Sequence, residues 1–395
     1  MTAFYSKCAN FLFICFFPLF FFYHLGIAAG AFPPMLGGGF AIYGIIGCFL
    51  GIMSIPLWLS HLATTEKFTS FLWLSFLVLC VGYSSYYLFA GGEKYLFDAA
   101  IQSFQAIILI LAMFFVGFFM DIESRILMST LRFSLFLMFI FLVVYAFLSG
   151  GVMFYAREFF ESENSVATYQ GFARSALLTI LPLLAVAHTA KLKLLIGLVG
   201  VYVLFVLGAR SEFFSFLIWL IGFAASFILR SRWGMIFGLV ALISVLFGVW
   251  SLSDLSSTSR QLEVTNLSES TSWVARQQLF NSTISVVDSS PLLGDFGAHI
   301  RVGGDAGSYS HNALSAWVNY GVVGFIFYIL SIFSAFCITA YHLVFRNNAC
   351  LKRNQTFSFS VLFFVLLLIL ISKPVFWPIT GLAMGLYFKS TVKRQ

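Results

Sequence analysis

The chain has 395 residues, of which 61% are hydrophobic and 9% are charged, and its mean hydropathy is +0.97. A water-soluble fold of this length cannot bury so large an apolar fraction, so the composition excludes the soluble globular classes and predicts a membrane protein. The net charge of +7 is explained by where the basic residues fall relative to the membrane spans, and we do not expect nucleic-acid binding.

Apolar runs of about 20 residues recur along the chain, and in a bilayer such runs form helices because every backbone polar group must be satisfied within its own segment. The sequence therefore predicts an all-α polytopic membrane protein. Residues 1–252 hold helices one to nine, 253–311 form an outer loop, and 312–395 hold helices ten to twelve. The twelve predicted spans lie near 9–29, 39–60, 70–90, 101–120, 132–149, 170–188, 192–209, 212–229, 234–252, 312–343, 356–372 and 374–391.

The basic residues predict the orientation of these spans. With the N-terminus inside, most of the 22 Lys and Arg residues lie on the inner side, as the positive-inside rule expects. The outer side then carries the two longest loops, 150–169 and 253–311. It keeps the remaining basic residues, which are Lys94, Arg157, Arg174, Arg210, Arg260, Arg276, Arg301 and Lys373.

The second outer loop contains a predicted amphipathic helix. Ser270 or Thr271 begins it, and Ser289-Ser290-Pro291 ends it. Such a helix either lies on the membrane or caps a cavity that opens to the outer face. The residues that recur at spacings of three and four are Trp273, Arg276 or Gln277, Phe280, Ile284 and Val287.

The segment SHNALSAWVNYGVVGF, residues 310–325, carries the main chemical signal. It places His311 in the first turn of an apolar helix, with Ser308 or Ser310 as the cap. The positive end of the helix dipole favours a neutral imidazole and attracts phosphate. A neutral histidine beside a bound anion can act as general base toward a sugar hydroxyl, which Asn312 would orient. The alternative is a capping or interfacial histidine without a catalytic role.

Arginines on the outer side supply a candidate phosphate site. Arg210 lies at the outer lip of the membrane, where its planar guanidinium can bind phosphate, or where it can pair with Glu212. Arg276 on the loop helix can close on the same phosphate, or it is a solvated charge. Arg174 enters the sixth helix from the outer side and is a further candidate.

Three other observations complete the candidate site. Gly321 and Gly324, three residues apart, allow a second helix or a lipid chain to approach closely. His299 is a second histidine of the loop, in a Gly-rich stretch whose geometry the sequence does not determine. No Walker, HExxH, CxxC or Asp-x-Asp motif is present, so we expect neither a metal ion nor a cofactor.

Three segments together resemble the O-antigen ligase and O-antigen polymerase superfamily, which are membrane glycosyltransferases of bacterial surface polysaccharides. The resemblance is dense in motifs over 170–330 and is one of hydropathy elsewhere. The segments are GARSEFF at 208–214, SWVARQQLFNSTISVVDSSPLLGDFG at 272–297 and SHNALSAWVNYGVVGF at 310–325.

The resemblance implies a fold similar to the lipid-phosphate-sugar membrane glycosyltransferases, with a small helical periplasmic cap, in the bacterial inner membrane. It implies that Arg210 and Arg276 hold the pyrophosphate of an undecaprenyl-linked oligosaccharide. His311 would activate the acceptor hydroxyl for a metal-independent, inverting transfer on the periplasmic side. The expected substrate-binding positions are Asn312, Arg174, Glu212, Gly321 and Gly324.

Two members of the superfamily differ in their acceptor. A polymerase joins the glycan to another undecaprenyl-linked repeat unit, and a ligase transfers it to lipid A–core. Arg-Ser-Glu at 210–212 resembles polymerases more closely, so polymerase is the preferred reading, and a chain-length regulator is a candidate partner. A lipid-linked oligosaccharide flippase is the alternative from another class, but it requires charges along a path through the bilayer, and the predicted helix centres are nearly free of charge.

Overall fold

The computed structural model describes residues 2–33, 40–64, 67–90, 92–149, 153–155, 168–228, 271–304, 310–345 and 349–391. Within these ranges the chain is helical and contains no strand. The helices are α1 (Thr2–Ile14), a π-helical segment (Cys15–Leu19), α2 (Phe20–Ala28), α3 (Phe40–Met53), α4 (Ile55–Thr64), α5 (Lys67–Phe89), α6 (Lys94–Phe119), α7 (Arg125–Ser149), α8 (Tyr169–Val186), α9 (Ala190–Val206), α10 (Arg210–Ile228), α11 (Thr271–Ser289), α12 (Ala298–Gly303), α13 (Leu314–Phe345), α14 (Ala349–Ile371) and α15 (Ile379–Thr391).

Seven helices in the described ranges are long and apolar enough to cross a membrane, or eight if the bent pair α3–α4, with its angle of 63°, forms one span. A polytopic helical membrane protein is thereby confirmed, but the predicted number of twelve spans is not. The predicted span 234–252 lies outside the described residues. The predicted spans 192–209 and 374–391 correspond to helices of 17 and 13 residues. The seven spans are Thr2–Ala28, Lys67–Phe89, Lys94–Phe119, Arg125–Ser149, Tyr169–Val186, Leu314–Leu343 and Arg353–Ile371.

The chain divides into two compact units, each assembled from segments that are distant in sequence. The first unit consists of Met1–Phe13, Ala41–Asp121 and Thr271–Gln395. The second consists of Ile14–Phe40 and Ile122–Ser270. The loop helix α11 and the His311 segment therefore belong to the first unit, and the Arg210 turn belongs to the second.

Glycine residues allow two helices of the first unit to pack at close range. A Cβ atom at Gly381 or Gly385 of α15 would overlap with the backbone of α6 at Ile110 or Phe114. Small residues that bring backbones together are typical of helix packing inside membranes, where burial of apolar surface cannot drive association. As a result α15 is buried along nearly its whole length, which suits a helix too short to cross a bilayer alone.

Helix α13 is interrupted at Gly321, whose φ of 68° and ψ of −174° are not helical. Residues 290–297 pack into the interruption and satisfy its backbone groups. Asp295 N donates to Val318 O at 2.7 Å, and Val322 N donates to Pro291 O at 3.3 Å. After the break, residues 322–345 extend for about 36 Å, which exceeds the roughly 30 Å hydrocarbon core. The part of α13 before the break is therefore not needed to cross the bilayer, and it is this part that carries the candidate site.

Candidate functional site

His311 lies in the first unit, three residues before α13 begins at Leu314. The prediction that it occupies the first turn of the helix is therefore wrong, but its predicted neutral state is supported. Burial first, and then the nearby positive charges of Arg276 and Lys373, lower the pKa of His311 from 6.5 to about 4. The imidazole is consequently uncharged at neutral pH, and its electrostatic environment is positive.

Asn312 caps the beginning of α13. Its side-chain Oδ1 accepts hydrogen bonds from Leu314 N at 3.0 Å and from Ser310 Oγ at 2.8 Å. Its backbone oxygen accepts a third from Ser315 Oγ at 2.7 Å. A carbonyl-type oxygen offers two lone pairs, so Asn312 Oδ1 is fully used by the fold. The predicted role of this side chain toward a substrate hydroxyl is thus left to its NH₂ group.

Within the described residues the loop helix α11 spans Thr271–Ser289, which confirms the predicted end. The residues before Thr271 lie outside the described ranges, so the predicted beginning stays a prediction. Phe280 and Ile284, two positions of the predicted apolar repeat, are 42% and 37% exposed, whereas Thr283 and Val286 are buried. The face that packs inward therefore combines polar and apolar side chains, and a simple hydrophobic pattern does not identify such a surface.

Arg276 is placed on the inward face of α11 by helical spacing. Leu279, Thr283 and Val286 follow it at intervals of three, four and three residues, and all three line a cavity. The residue as a whole is half-buried, and its charge acts electrostatically on His311. The structure thus brings together two of the three predicted catalytic residues.

Lys373 joins this cluster from the segment between α14 and α15, and the sequence-based site did not include it. Only 7% of the residue is exposed, and its charge acts on His311. Its Nζ lies 6.0 Å from the ring centroid of Trp377, within range of a cation–π interaction. Val375 N donates to Ser315 Oγ at 2.7 Å, which ties this segment to the start of α13. In the sequence, one lysine before a proline between two apolar runs is only a weak signal for a functional site. The tertiary structure shows that its charge acts on His311.

A cavity of about 290 Å³ lies next to this cluster, between α11, α12 and the beginning of α13. Its wall is partly polar and partly apolar. The described residues that line it are Gln278, Leu279, Ser282, Thr283, Val286, Ala298, His299, Val302, Gly303, Ser310, Ser315, Val318 and Asn319.

His299 and Asn319 are the fixed polar groups of the cavity wall. His299 Nε2 is 2.8 Å from Gln102 Oε1, and burial lowers the pKa of this histidine from 6.5 to about 4. Asn319 Nδ2 donates to Ser315 O at 2.8 Å, and its Oδ1 accepts from Gly297 N at 3.2 Å. The sequence did carry a signal for this wall: Asn312, Ser315 and Asn319 form a polar stripe at helical spacing in an otherwise apolar segment.

The remaining arginine candidates lie in the second unit. Arg210 is the first residue of α10. Arg174 stacks over the rings of Phe20 and Phe40, at 5.2 and 4.7 Å from their centroids, and interacts electrostatically with Glu212. Glu212 is only 1% exposed, and its Oε2 accepts a 2.6 Å hydrogen bond from Ser211 Oγ. The structure thus brings Glu212 and Arg174 together, and the pair between Arg210 and Glu212 that the sequence suggested stays a prediction.

At the two candidate glycines, the space a side chain would occupy is filled by the protein itself. A Cβ atom at Gly321 would overlap with the backbone of Leu292, and one at Gly324 would overlap with the side chain of Tyr320. The close approach predicted for a helix or a lipid chain is made at Gly321 by the loop of residues 290–297. At both positions the packing of the protein itself therefore accounts for glycine.

The predicted site residues are distributed over both units: His311, Arg276 and Asn312 in the first, and Arg210, Arg174 and Glu212 in the second. Convergence of Arg210 with the first group stays a prediction. Among the described residues, no three His, Cys, Asp or Glu side chains are grouped so that they could hold a metal ion. The sequence matches no protein-family model and no curated protein.

Proposed function

We propose that the protein is a membrane glycosyltransferase that acts on glycans carried by undecaprenyl diphosphate, with polymerisation of O-antigen repeat units as its reaction. The observation that carries the proposal is a neutral, half-buried His311 on which the positive charges of Arg276 and Lys373 both act. A base next to a binding site for an anionic leaving group is the minimum that metal-independent transfer from a lipid diphosphate requires. The three ordered segments that resemble the O-antigen polymerase and ligase superfamily support the same reaction.

The chemistry follows from these charges. A bound diphosphate neutralises Arg276 and Lys373, and its negative charge raises the pKa of His311 so that the imidazole becomes an effective base. His311 takes the proton of an acceptor hydroxyl as the hydroxyl oxygen bonds to the anomeric carbon. The bond between that carbon and the phosphate oxygen breaks in the same displacement, which inverts the anomeric centre. Undecaprenyl diphosphate leaves with both bonding electrons, and the cations stabilise its charge. Arg210 keeps its predicted role in binding phosphate.

The test is complementation of a strain from which the gene has been deleted, with the lipopolysaccharide banding pattern as the readout. A polymerase deletion leaves a single repeat unit on the core, whereas a ligase deletion leaves free core and accumulated lipid-linked polymer. The parent gene restores the ladder and His311→Ala does not, although both proteins reach the membrane in equal amounts. His188→Ala, at an exposed histidine of the second unit, is the matched control and complements fully. Full activity of His311→Ala, or an unchanged pattern in the deletion strain, rejects the proposal.

A further inference from the structure

The cavity next to His311 differs in character from the cationic cluster. None of the described residues that line it carries a charge, and burial keeps His299 in its neutral form. A phosphate or carboxylate group that entered it would lose hydration with no cation in the wall to replace it. The cavity is therefore suited to an uncharged ligand.

The hydroxyl groups of the wall offer hydrogen-bond acceptors to that ligand. Thr283 Oγ1 and Ser282 Oγ each donate to the backbone carbonyl four residues earlier, at 2.7 and 3.0 Å. Ser310 Oγ donates to Asn312 Oδ1. A hydroxyl has one hydrogen and two lone pairs, so each oxygen has used its hydrogen within the protein and can still accept. A matching ligand must donate hydrogen bonds from several positions, as the hydroxyl groups of a sugar do.

The apolar part of the wall and the size of the cavity narrow the ligand further. Leu279, Val286, Val302 and Val318 contribute apolar side chains to the wall, and the C–H faces of a pyranose ring can pack against such side chains. Small-ligand pockets usually measure about 300 to 1,000 Å³, so 290 Å³ lies just below this range. The space fits one sugar residue better than a whole repeat unit.

The position of the cavity indicates which sugar it would hold. Ser310 lines the cavity and immediately precedes His311, which is not itself a lining residue. A sugar in the cavity would therefore present its reacting hydroxyl at the Ser310 end. The donor sugar must instead remain attached to its diphosphate, whose charge belongs with Arg276 and Lys373.

We infer that this cavity binds a single uncharged sugar residue at the acceptor end of the glycan, with His299 and Asn319 as the side chains that orient it. The inference rests on the proposed function and deepens it, because polymerase and ligase both use a sugar acceptor. Both orienting side chains are held in place by other residues, Gln102 and Ser315. A prearranged wall of this kind lowers the entropy cost of ordering the ligand.

The experiment measures binding, so that it does not depend on turnover. The full chain, with its six histidines labelled with ¹⁵N, is placed in nanodiscs and observed by NMR, and signals are assigned with single His→Gln variants. One titration uses methyl glycosides of hexoses, 6-deoxyhexoses and N-acetylhexosamines, and the other uses inorganic pyrophosphate. We expect at least one glycoside to shift the His299 signal, and pyrophosphate to shift that of His311 and raise its pKa.

Two leucine substitutions on α11 distinguish an effect on the cavity from a general effect on the helix. Ser282→Leu fills the cavity and should weaken glycoside binding about tenfold or more, which corresponds to roughly 1.4 kcal/mol, while the pyrophosphate response remains. Ser285 also donates to a carbonyl of the same helix, at 2.7 Å, but it is exposed and outside the cavity. Ser285→Leu is therefore the matched control and should leave both responses unchanged.

The outcomes distinguish the two proposals. If no glycoside shifts the His299 signal, or if Ser282→Leu binds the glycoside as well as the parent does, the acceptor cavity is rejected. If glycosides shift His299 but pyrophosphate leaves His311 unchanged, the sugar site stands and the phosphate site of the proposed function fails. Shifts at both histidines with the expected leucine effects support both.

Discussion

The two units of the molecule handle buried positive charge in different ways. In the second unit, Arg174 packs over the rings of Phe20 and Phe40 and interacts with the buried carboxylate of Glu212. In the first unit, the positive charges of Arg276 and Lys373 both act on the neutral His311. A cation beside a buried carboxylate serves the fold, whereas two cations that act on one neutral histidine can together bind an anion. The number of arginines in a segment therefore says less about function than the groups beside each one.

The largest expected effect is the loss of transfer activity when either cation of the first unit is removed. Arg276→Ala and Lys373→Met should each lower the rate of glycan transfer about 100-fold, as loss of one charge-stabilising group in a transition state typically does. The measurement is transfer of lipid-linked oligosaccharide by purified protein in liposomes. Arg301→Ala is the control, because Arg301 is exposed and paired with Asp295, and it should keep parental activity. Retention of full activity by both cluster variants would contradict a phosphate site in the first unit.

The next prediction concerns the stability that depends on the break of helix α13 at Gly321. Gly321→Ala puts a side chain at φ 68°, where its Cβ meets the backbone of Leu292, and should lower the free energy of unfolding by about 2 kcal/mol or more. Gly222 of α10, in the second unit, has open space around it. Gly222→Ala should therefore leave the melting temperature unchanged or raise it slightly, since alanine favours helix over glycine. Equal melting temperatures for the two variants would show that the break does not matter for stability.

A smaller effect on thermal stability tests whether Glu212 and Arg174 of the second unit have a structural role. Glu212→Gln removes the negative charge beside Arg174 and should lower the melting temperature, with a cost of about 1 kcal/mol. The double variant Arg174→Met with Glu212→Gln should recover part of this loss, because no unpaired charge remains. Arg210→Ala should lower transfer activity, as expected of a phosphate ligand. An unchanged melting temperature in Glu212→Gln would remove the structural role that distinguishes this pair from the first-unit cluster.

The last prediction concerns pH. The pKa values of His299 and His311 are about 4 in the folded protein and near 6.5 when unfolded, so the unfolded state binds protons more readily. Their contribution to stability is therefore present above pH 6.5 and is lost as the pH falls from 6.5 toward 4. Melting temperatures over this range should decline, and His299→Gln should flatten the decline. Pyrophosphate should also flatten it, by raising the folded-state pKa of His311. An identical slope in His299→Gln would argue against the depressed pKa of that histidine.

Local chemistry allowed part of the site to be predicted. The end of α11 followed from Ser-Ser-Pro after it, and His311 with Arg276 followed from motifs of neighbouring residues. The first turn of α13 was placed three residues too early, because Ser310, His311 and Asn312 all suit a helix start by composition. Only the hydrogen bonds of Asn312 to Leu314 and Ser310 decide which residue serves as the cap.

Other parts of the site depend on contacts between distant segments. Gln102 meets His299 across 197 residues of sequence, and Val375 meets Ser315 across 60. No local pattern predicts these pairs, and Lys373 enters the cluster through the second of them. The inward face of α11 could not be predicted locally either, since the polar Thr283 is buried there while the apolar Phe280 and Ile284 are exposed.

Hydropathy and helix caps act over a few turns of chain. The sequence alone therefore predicted the class of the protein, the membrane helices that are confirmed and the residue types available for chemistry. The tertiary structure decided which charges surround His311, which face of the loop helix turns inward, and that an uncharged cavity adjoins a cationic cluster. These features arise where α6, α11, α12, α13 and the Lys373 segment meet. Electrostatic and packing interactions act through space, and their effect depends on burial and distance that sequence order does not contain.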